Sequence, residues 1–153
     1  FEKEGLTLSV EPHPEDWVEQ LQPAVDIVKN IGSKALKLSY IAPHTFYYGD
    51  DMAAMIREAA PVLAHVRVAD TFNHKASSGL RYILNPPGTQ ARIHQHLDIG
   101  QGEVPWDDFF GTLAEVGFDG IMTACVFAWE DRADASGKFM RSEMQRYVDK
   151  YFK

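Results

Sequence analysis

The sequence predicts an α/β protein with a parallel sheet, on three observations. Strand-like and helix-like patterns alternate four times along the chain. The strand-like runs are apolar nearly throughout, as in strands covered on both faces. Polar residues gather just beyond them: Glu11 and His13, His44, Asp70, and the segment 92–102. Two architectures satisfy this pattern, a doubly wound open sheet or half of an eight-stranded (β/α) barrel whose whole needs about 250 residues. Both place their active site where these polar residues fall. No Gly-x-Gly-x-x-Gly follows any strand, so the dinucleotide-binding version has no support.

Each element has its own signal. Leu6 to Val10 alternates and stops at Glu11-Pro12-His13-Pro14, a strand and a loop. Asp16 to Asn30 carries Trp17, Leu21, Val25 and Val28 at helical spacing, with Gly32 where a C-terminal cap belongs. Ala35 to Ile41 is a second strand, ended by Pro43. Asp50-Asp51 opens a second helix through Ala59, with carboxylates at its positive end. Pro61 to Val68 is the third strand, followed by a polar connection from Asp70 to Pro105, a length typical of functional loops. Trp106 to Val116 is a third helix, Ile121 to Phe127 the fourth strand, and Phe139 to Phe152 an amphipathic last helix.

Composition narrows the function classes. The 153 residues are 45% hydrophobic and 24% charged, as expected of one globular domain. Twenty-two acids against 15 bases give a net charge of −7, which argues against nucleic acid or an anionic membrane as partner. No apolar run is long enough to span a bilayer. The one cysteine, Cys125, excludes an internal disulfide and makes a cytoplasmic location the expectation. The polar start, Phe1-Glu2-Lys3-Glu4-Gly5, does not read as a signal peptide and lacks an initiator Met, as a piece of a longer protein would.

Two stretches choose the barrel. Ala64-His65-Val66-Arg67-Val68-Ala69-Asp70 resembles the His-x-His-x-x-Asp strand of sugar isomerases and epimerases of the xylose isomerase-like superfamily. Ile99-Gly100-Gln101-Gly102-Glu103-Val104-Pro105-Trp106, followed by Gly117-Phe118-Asp119-Gly120, resembles the same superfamily's glycine-rich signatures. The loop from Asp70 to Tyr82, with Asn85-Pro86-Pro87-Gly88, is most similar to its sugar phosphate isomerase/epimerase-like branch of myo-inositol catabolism. The resemblance implies a (β/α)8 TIM barrel of which residues 1–153 are the C-terminal half, with strands five to eight and the loop 70–105. It implies a small sugar or inositol-derived substrate. A missing N-terminal half-barrel, or a second copy of the chain, would then pair the open edges and cover an apolar inner face.

The resemblance also implies a divalent ion, manganese, zinc or cobalt. Four ligands are usual at the ends of strands five to eight, and their places here hold Glu11, Ile41, Arg67 and Cys125. Only Glu11 keeps a ligand identity. The loop His94-Gln95-His96-Leu97-Asp98-Ile99-Gly100 is similar to one in endonuclease IV, a three-zinc relative, and suggests a displaced set of Glu11, His44, His94 and His96.

The implied chemistry is proton transfer next to a carbonyl. Glu11 or His44 would move the proton, and Arg67 would hold the developing oxyanion or an acid group. Arg81 and Arg92 would anchor a substrate phosphate, with loop ion pairs as the alternative. For Glu11 the alternative is an ion pair with Arg67; for His44, an aromatic cluster; for His65 and Cys125, plain packing. The competing class is a non-catalytic polyol-binding or accessory protein with a decayed metal centre.

Overall fold

The computed structural model describes residues 1–14, 16–48, 51–73 and 95–153. Four strands, β1 (Leu8–Val10), β2 (Leu36–Ile41), β3 (Leu63–Val68) and β4 (Ile121–Ala124), form one sheet in sequence order. Every neighbouring pair is parallel. The helices between them are α1 (Leu21–Ile31), the single turn α2 (Ala42–Thr45), α3 (Met52–Ala59) and α4 (Trp106–Glu115), and α5 (Ala133–Tyr151) closes the chain. Short 3-10 turns occupy Glu2–Glu4, Phe46–Tyr48, Ala60–Val62 and Glu130–Arg132.

The helices bury one stripe each against one side of the sheet. In α1 the buried residues are Leu21, Ala24, Val25 and Val28, and Gly32 ends the helix at φ 66°, its N–H donating to Val28 O. The helix begins five residues later than its apolar spacing suggests, and Trp17 lies outside it, fully exposed. Pro23 explains the shift. In a helix begun at Asp16 it would sit in the interior, lose a hydrogen bond and collide with the carbonyl four residues back; from Leu21 it lies in the first turn. Asp51 caps α3 by accepting from Ala54 N–H at 3.0 Å. Trp106, Phe109, Phe110 and Leu113 form the inner stripe of α4, and Phe110 stacks on Tyr147 of α5 at 4.7 Å. Burial of each such ring stabilises the fold by about 2 kcal/mol.

Other boundaries move as well, β1 beginning at Leu8 rather than Leu6 and α3 at Met52 rather than Asp50. β3 starts at Leu63, because Ala60–Val62 forms a 3-10 turn around Pro61. β4 ends at Ala124, so Cys125 lies just past the strand, although its N–H still donates to Val68 O at 2.9 Å. α5 starts six residues early, at Ala133, in a stretch without apolar periodicity. Its first turns are held instead by the buried Ser136 hydroxyl, which donates to Asp98, and by Met140, whose sulfur accepts from Ile99 N–H.

The connection from Asp70 to Pro105 is anchored at both described ends. Asp70 and Leu97 form an antiparallel bridge. The Asp70 carboxylate then accepts from Thr71 N–H and Val104 N–H on one oxygen and from Gly100 N–H and the Trp106 indole on the other. A Cβ on Gly102 would lie 2.4 Å from Asp70 Oδ1 and from Thr71 O, so only glycine fits there. The strand-ending Asp and the glycine-rich signature are one clasp, folding the returning chain over the sheet's C-terminal edge.

The face opposite the helices differs from the apolar one expected. Alternation places Ser9, Lys37, Ser39, Ile41, His65, Arg67, Ile121 and Thr123 on it, all polar or charged except the two isoleucines. His65 pairs there with Thr123 at 2.9 Å and is half-buried, so it is a partnered histidine on an open face rather than a core one. Exposed apolar side chains stand at the two edge strands, Ile121 of the inner face among them. Leu6 and Leu8 are exposed beside β1, and Ile121 and Phe127 beside β4, Ile121 at 68%. No described helix is long and apolar enough to cross a membrane.

Candidate active site at the C-terminal edge of the sheet

Four groups expected at the site do come together, each placed by the end of a strand. Glu11 follows β1, His44 sits in the turn after β2, Arg67 is the penultimate residue of β3, and His96 lies on the clasped segment that bridges to Asp70. The hub is the Glu11 carboxylate. One oxygen accepts from Arg67 Nη1 at 2.6 Å, and the other from the Ser39 hydroxyl at 2.9 Å. His44 Nδ1 lies 3.6 Å from the first oxygen. Arg67 reaches the other way as well, its Nη2 donating to Cys125 Sγ at 2.7 Å. One planar guanidinium therefore joins the ends of β1 and β4 across the sheet.

Both imidazoles are buried and aimed by the backbone. His44 Nδ1–H donates to Pro12 O at 2.8 Å, and His96 Nδ1–H donates to Cys125 O at 2.9 Å. These bonds set Nε2 as the basic nitrogen of each ring. The rings of His44 and His96 meet edge to face at 5.4 Å; His13 packs on His44, and Phe127 stacks on His96 at 4.0 Å. Burial pushes the Cys125 thiol above its ordinary range, and the Arg67 charge opposes that shift. Burial and then the Arg67 charge hold the His65 imidazole below its usual value, with Glu11 acting in the opposite direction.

Sequence reasoning missed two participants. Ser39 stands in an apolar run, but Lys37 and Ser39 are two apart on one face, which was the available signal for a polar inner surface. Cys125, expected as inert packing, is the second partner of Arg67. Arg81, Arg92 and His94 lie outside the described residues.

The implied divalent ion fits poorly beside Glu11. The charge-bearing partner of that carboxylate is already a guanidinium, protonated at any working pH. An ion bound to Glu11 would sit about 4 Å from it, a repulsion of about 8 kcal/mol for a double charge at an effective dielectric of 20. Among the described residues no group of three or more His, Cys, Asp or Glu side chains is arranged to hold a metal.

Residues 1–143 match the family described as "Xylose isomerase-like TIM barrel". No curated protein matches the chain. Among solved structures, the chain is similar to an IOLI protein with a bound zinc atom, at TM-score 0.74 and 20% identity, covering 99% of this chain and 52% of that one. It is similar to an L-ribulose 3-epimerase at TM-score 0.71 and 14% identity, covering 98% and 50%. A D-tagatose 3-epimerase-like protein gives TM-score 0.70 and 17% identity, covering 97% and 49%. The chain spans about half the length of each of these structures.

Proposed function

The chain belongs to the xylose isomerase-like TIM barrel family, and from that membership we propose that it carries the proton-transfer site of a sugar isomerase or epimerase. The observation that carries this reading is the Glu11–Arg67 pair, with His44 beside it, at the C-terminal edge of the parallel sheet. The substrate is a small polyol-derived ketose, keto-inositol or sugar phosphate. The loop sequence 70–88, similar to the myo-inositol branch of the family, favours the keto-inositol.

The chemistry follows from the charges. Glu11 or His44 Nε2 takes a proton from the carbon next to the substrate carbonyl; the C–H electron pair moves into an enediolate. Arg67 donates N–H groups to the oxygen that gains charge. Return of a proton to the opposite face of the same carbon epimerises it; return to the former carbonyl carbon, with the hydroxyl proton passing to the neighbouring oxygen, isomerises the substrate. The pocket is completed by further strands that pair with β1 and β4, whose exposed Leu8 and Ile121 suit burial by a second half-barrel.

Solvent isotope exchange tests this reading. Full-length protein is incubated with ketoses and keto-inositols in heavy water, and exchange at the carbon next to the carbonyl is followed by proton resonance. Catalysed exchange that Glu11→Gln lowers at least 100-fold is the expected result. Saturable binding of the same compounds without exchange replaces the enzyme with the polyol-binding protein, a reading the tightly paired Glu11 also accommodates.

A further inference from the structure

The groups at the sheet's C-terminal edge have the donor chemistry of a metal centre but not its arrangement, because an amino-acid cation stands between them. Glu11, His44, Cys125 and His96 are a carboxylate, two imidazoles and a thiol, the usual donors for a zinc-like ion. They are linked in pairs: His44 lies 3.6 Å from Glu11, and His96 Nδ1 lies 3.7 Å from Cys125 Sγ. Between the pairs stands Arg67, with Glu11 on one terminal nitrogen and Cys125 on the other. We propose that Arg67 is the resident cation of this site, occupying the place between Glu11 and Cys125 and excluding a divalent ion from it.

The geometry gives the tethered cation a defined ligand preference. A guanidinium presents five N–H donors in a plane. Two are committed to Glu11 and Cys125, and the side chain is 35% exposed, which leaves three N–H groups on a guanidinium that solvent reaches. A fork of this kind suits two oxygens of one ligand, a carboxylate or the cis oxygens of an enediolate. A divalent ion would instead gather neutral hydroxyl and carbonyl oxygens directly. The site therefore takes a polyhydroxy ligand by its most negative end. This deepens the function proposed above and rests on it for the ligand class, while the identity of the cation stands on the side-chain geometry alone.

Cobalt is the probe, because a cobalt–thiolate bond gives a charge-transfer band in the near ultraviolet that reports Cys125 directly. Full-length protein, stripped with a chelator, is titrated with Co²⁺ in the absence of substrate. The wild type should show no cobalt–thiolate band. Arg67→His replaces the cation with a ligand and should create the band, with affinity at least 10-fold above wild type, and Glu11→Gln in that background should weaken it. A wild-type band that Glu11→Gln abolishes would overturn the proposal. So would a cooperatively melting Arg67→His protein with no gain in cobalt affinity; should that variant not fold, the wild-type titration decides alone. Since cobalt uptake is read without substrate, its outcome is separate from that of the isotope-exchange assay.

Discussion

Asp70 and Glu11 both stand at the ends of parallel strands, on the same edge of the sheet, and they do opposite work. Asp70 is 1% exposed, and its two oxygens accept four hydrogen bonds, three from backbone N–H groups and one from an indole. Its partners are fixed in place by the chain. Glu11 is held by side chains: a guanidinium, a hydroxyl and a nearby imidazole, of which the part-exposed guanidinium can exchange its partner for a ligand. A carboxylate satisfied by main chain builds the fold; one satisfied by ionisable side chains on an open face is available for chemistry.

The largest expected effect follows from the first half of that contrast. Asp70→Ala leaves Thr71 N–H, Gly100 N–H, Val104 N–H and the Trp106 indole without their acceptor. Each buried orphan donor costs about 1–3 kcal/mol, so a loss of about 4 kcal/mol or more is expected, with a Tm lower by ~10 °C. Calorimetry checks it. A variant that melts within a degree or two of wild type would remove Asp70 from the architecture and return it to the candidate site.

Glu11→Gln should give the reverse signature. The amide keeps the shape, can still accept from Ser39, and leaves Arg67 in contact with solvent. The pair is part-buried and Arg67 keeps solvent contact, so the Tm should fall by clearly less than in Asp70→Ala. Isotope exchange should meanwhile fall about 100-fold or more, the ordinary contribution of a positioned base. If stability falls as far as in Asp70→Ala, the two carboxylates are alike and Glu11 is a structural ion pair.

What the sequence reveals and conceals follows the same division. The parallel strands were legible because their apolar runs and the punctuation of Pro12, Gly32 and Pro43 report local backbone physics. Convergence of Glu11, His44, Arg67 and His96 was legible because each lies at or beyond a strand's C-terminal end. The start of α1 was not read correctly, since Trp17 fits the apolar stripe while Pro23 forbids a helix around it. Asp70 stands among the polar residues beyond the strands, and no periodicity shows that Thr71, Gly100, Val104 and Trp106 close on it with three N–H groups and an indole. The Arg67–Cys125 contact joins residues 58 apart, and only the register of β3 with β4 reveals it.

The smallest expected effect concerns His65, which shares the inner face with Glu11 and Arg67 and titrates between the two behaviours. Its folded value is held below the ordinary 6.5, first by burial and then by the Arg67 charge, with Glu11 partly offsetting both. Between the folded value and 6.5 the unfolded chain therefore binds more protons than the native one. Stability linked to His65 is fully present above pH 6.5 and declines as the pH falls below it. The wild-type Tm should drop more steeply between pH 7 and 5 than that of His65→Gln. Glu11→Gln should steepen the drop further, because it removes the one charge that favours the imidazolium while leaving Arg67 in place. Melting curves across that range, taken for the three proteins in one buffer series, measure the slopes. Equal slopes for wild type and His65→Gln would show that the inner face solvates the imidazolium as well as water does. A shallower slope for Glu11→Gln would mean that Arg67 moves away with its partner, making the Glu11–Arg67 pair, rather than Arg67 alone, the source of the field on that face.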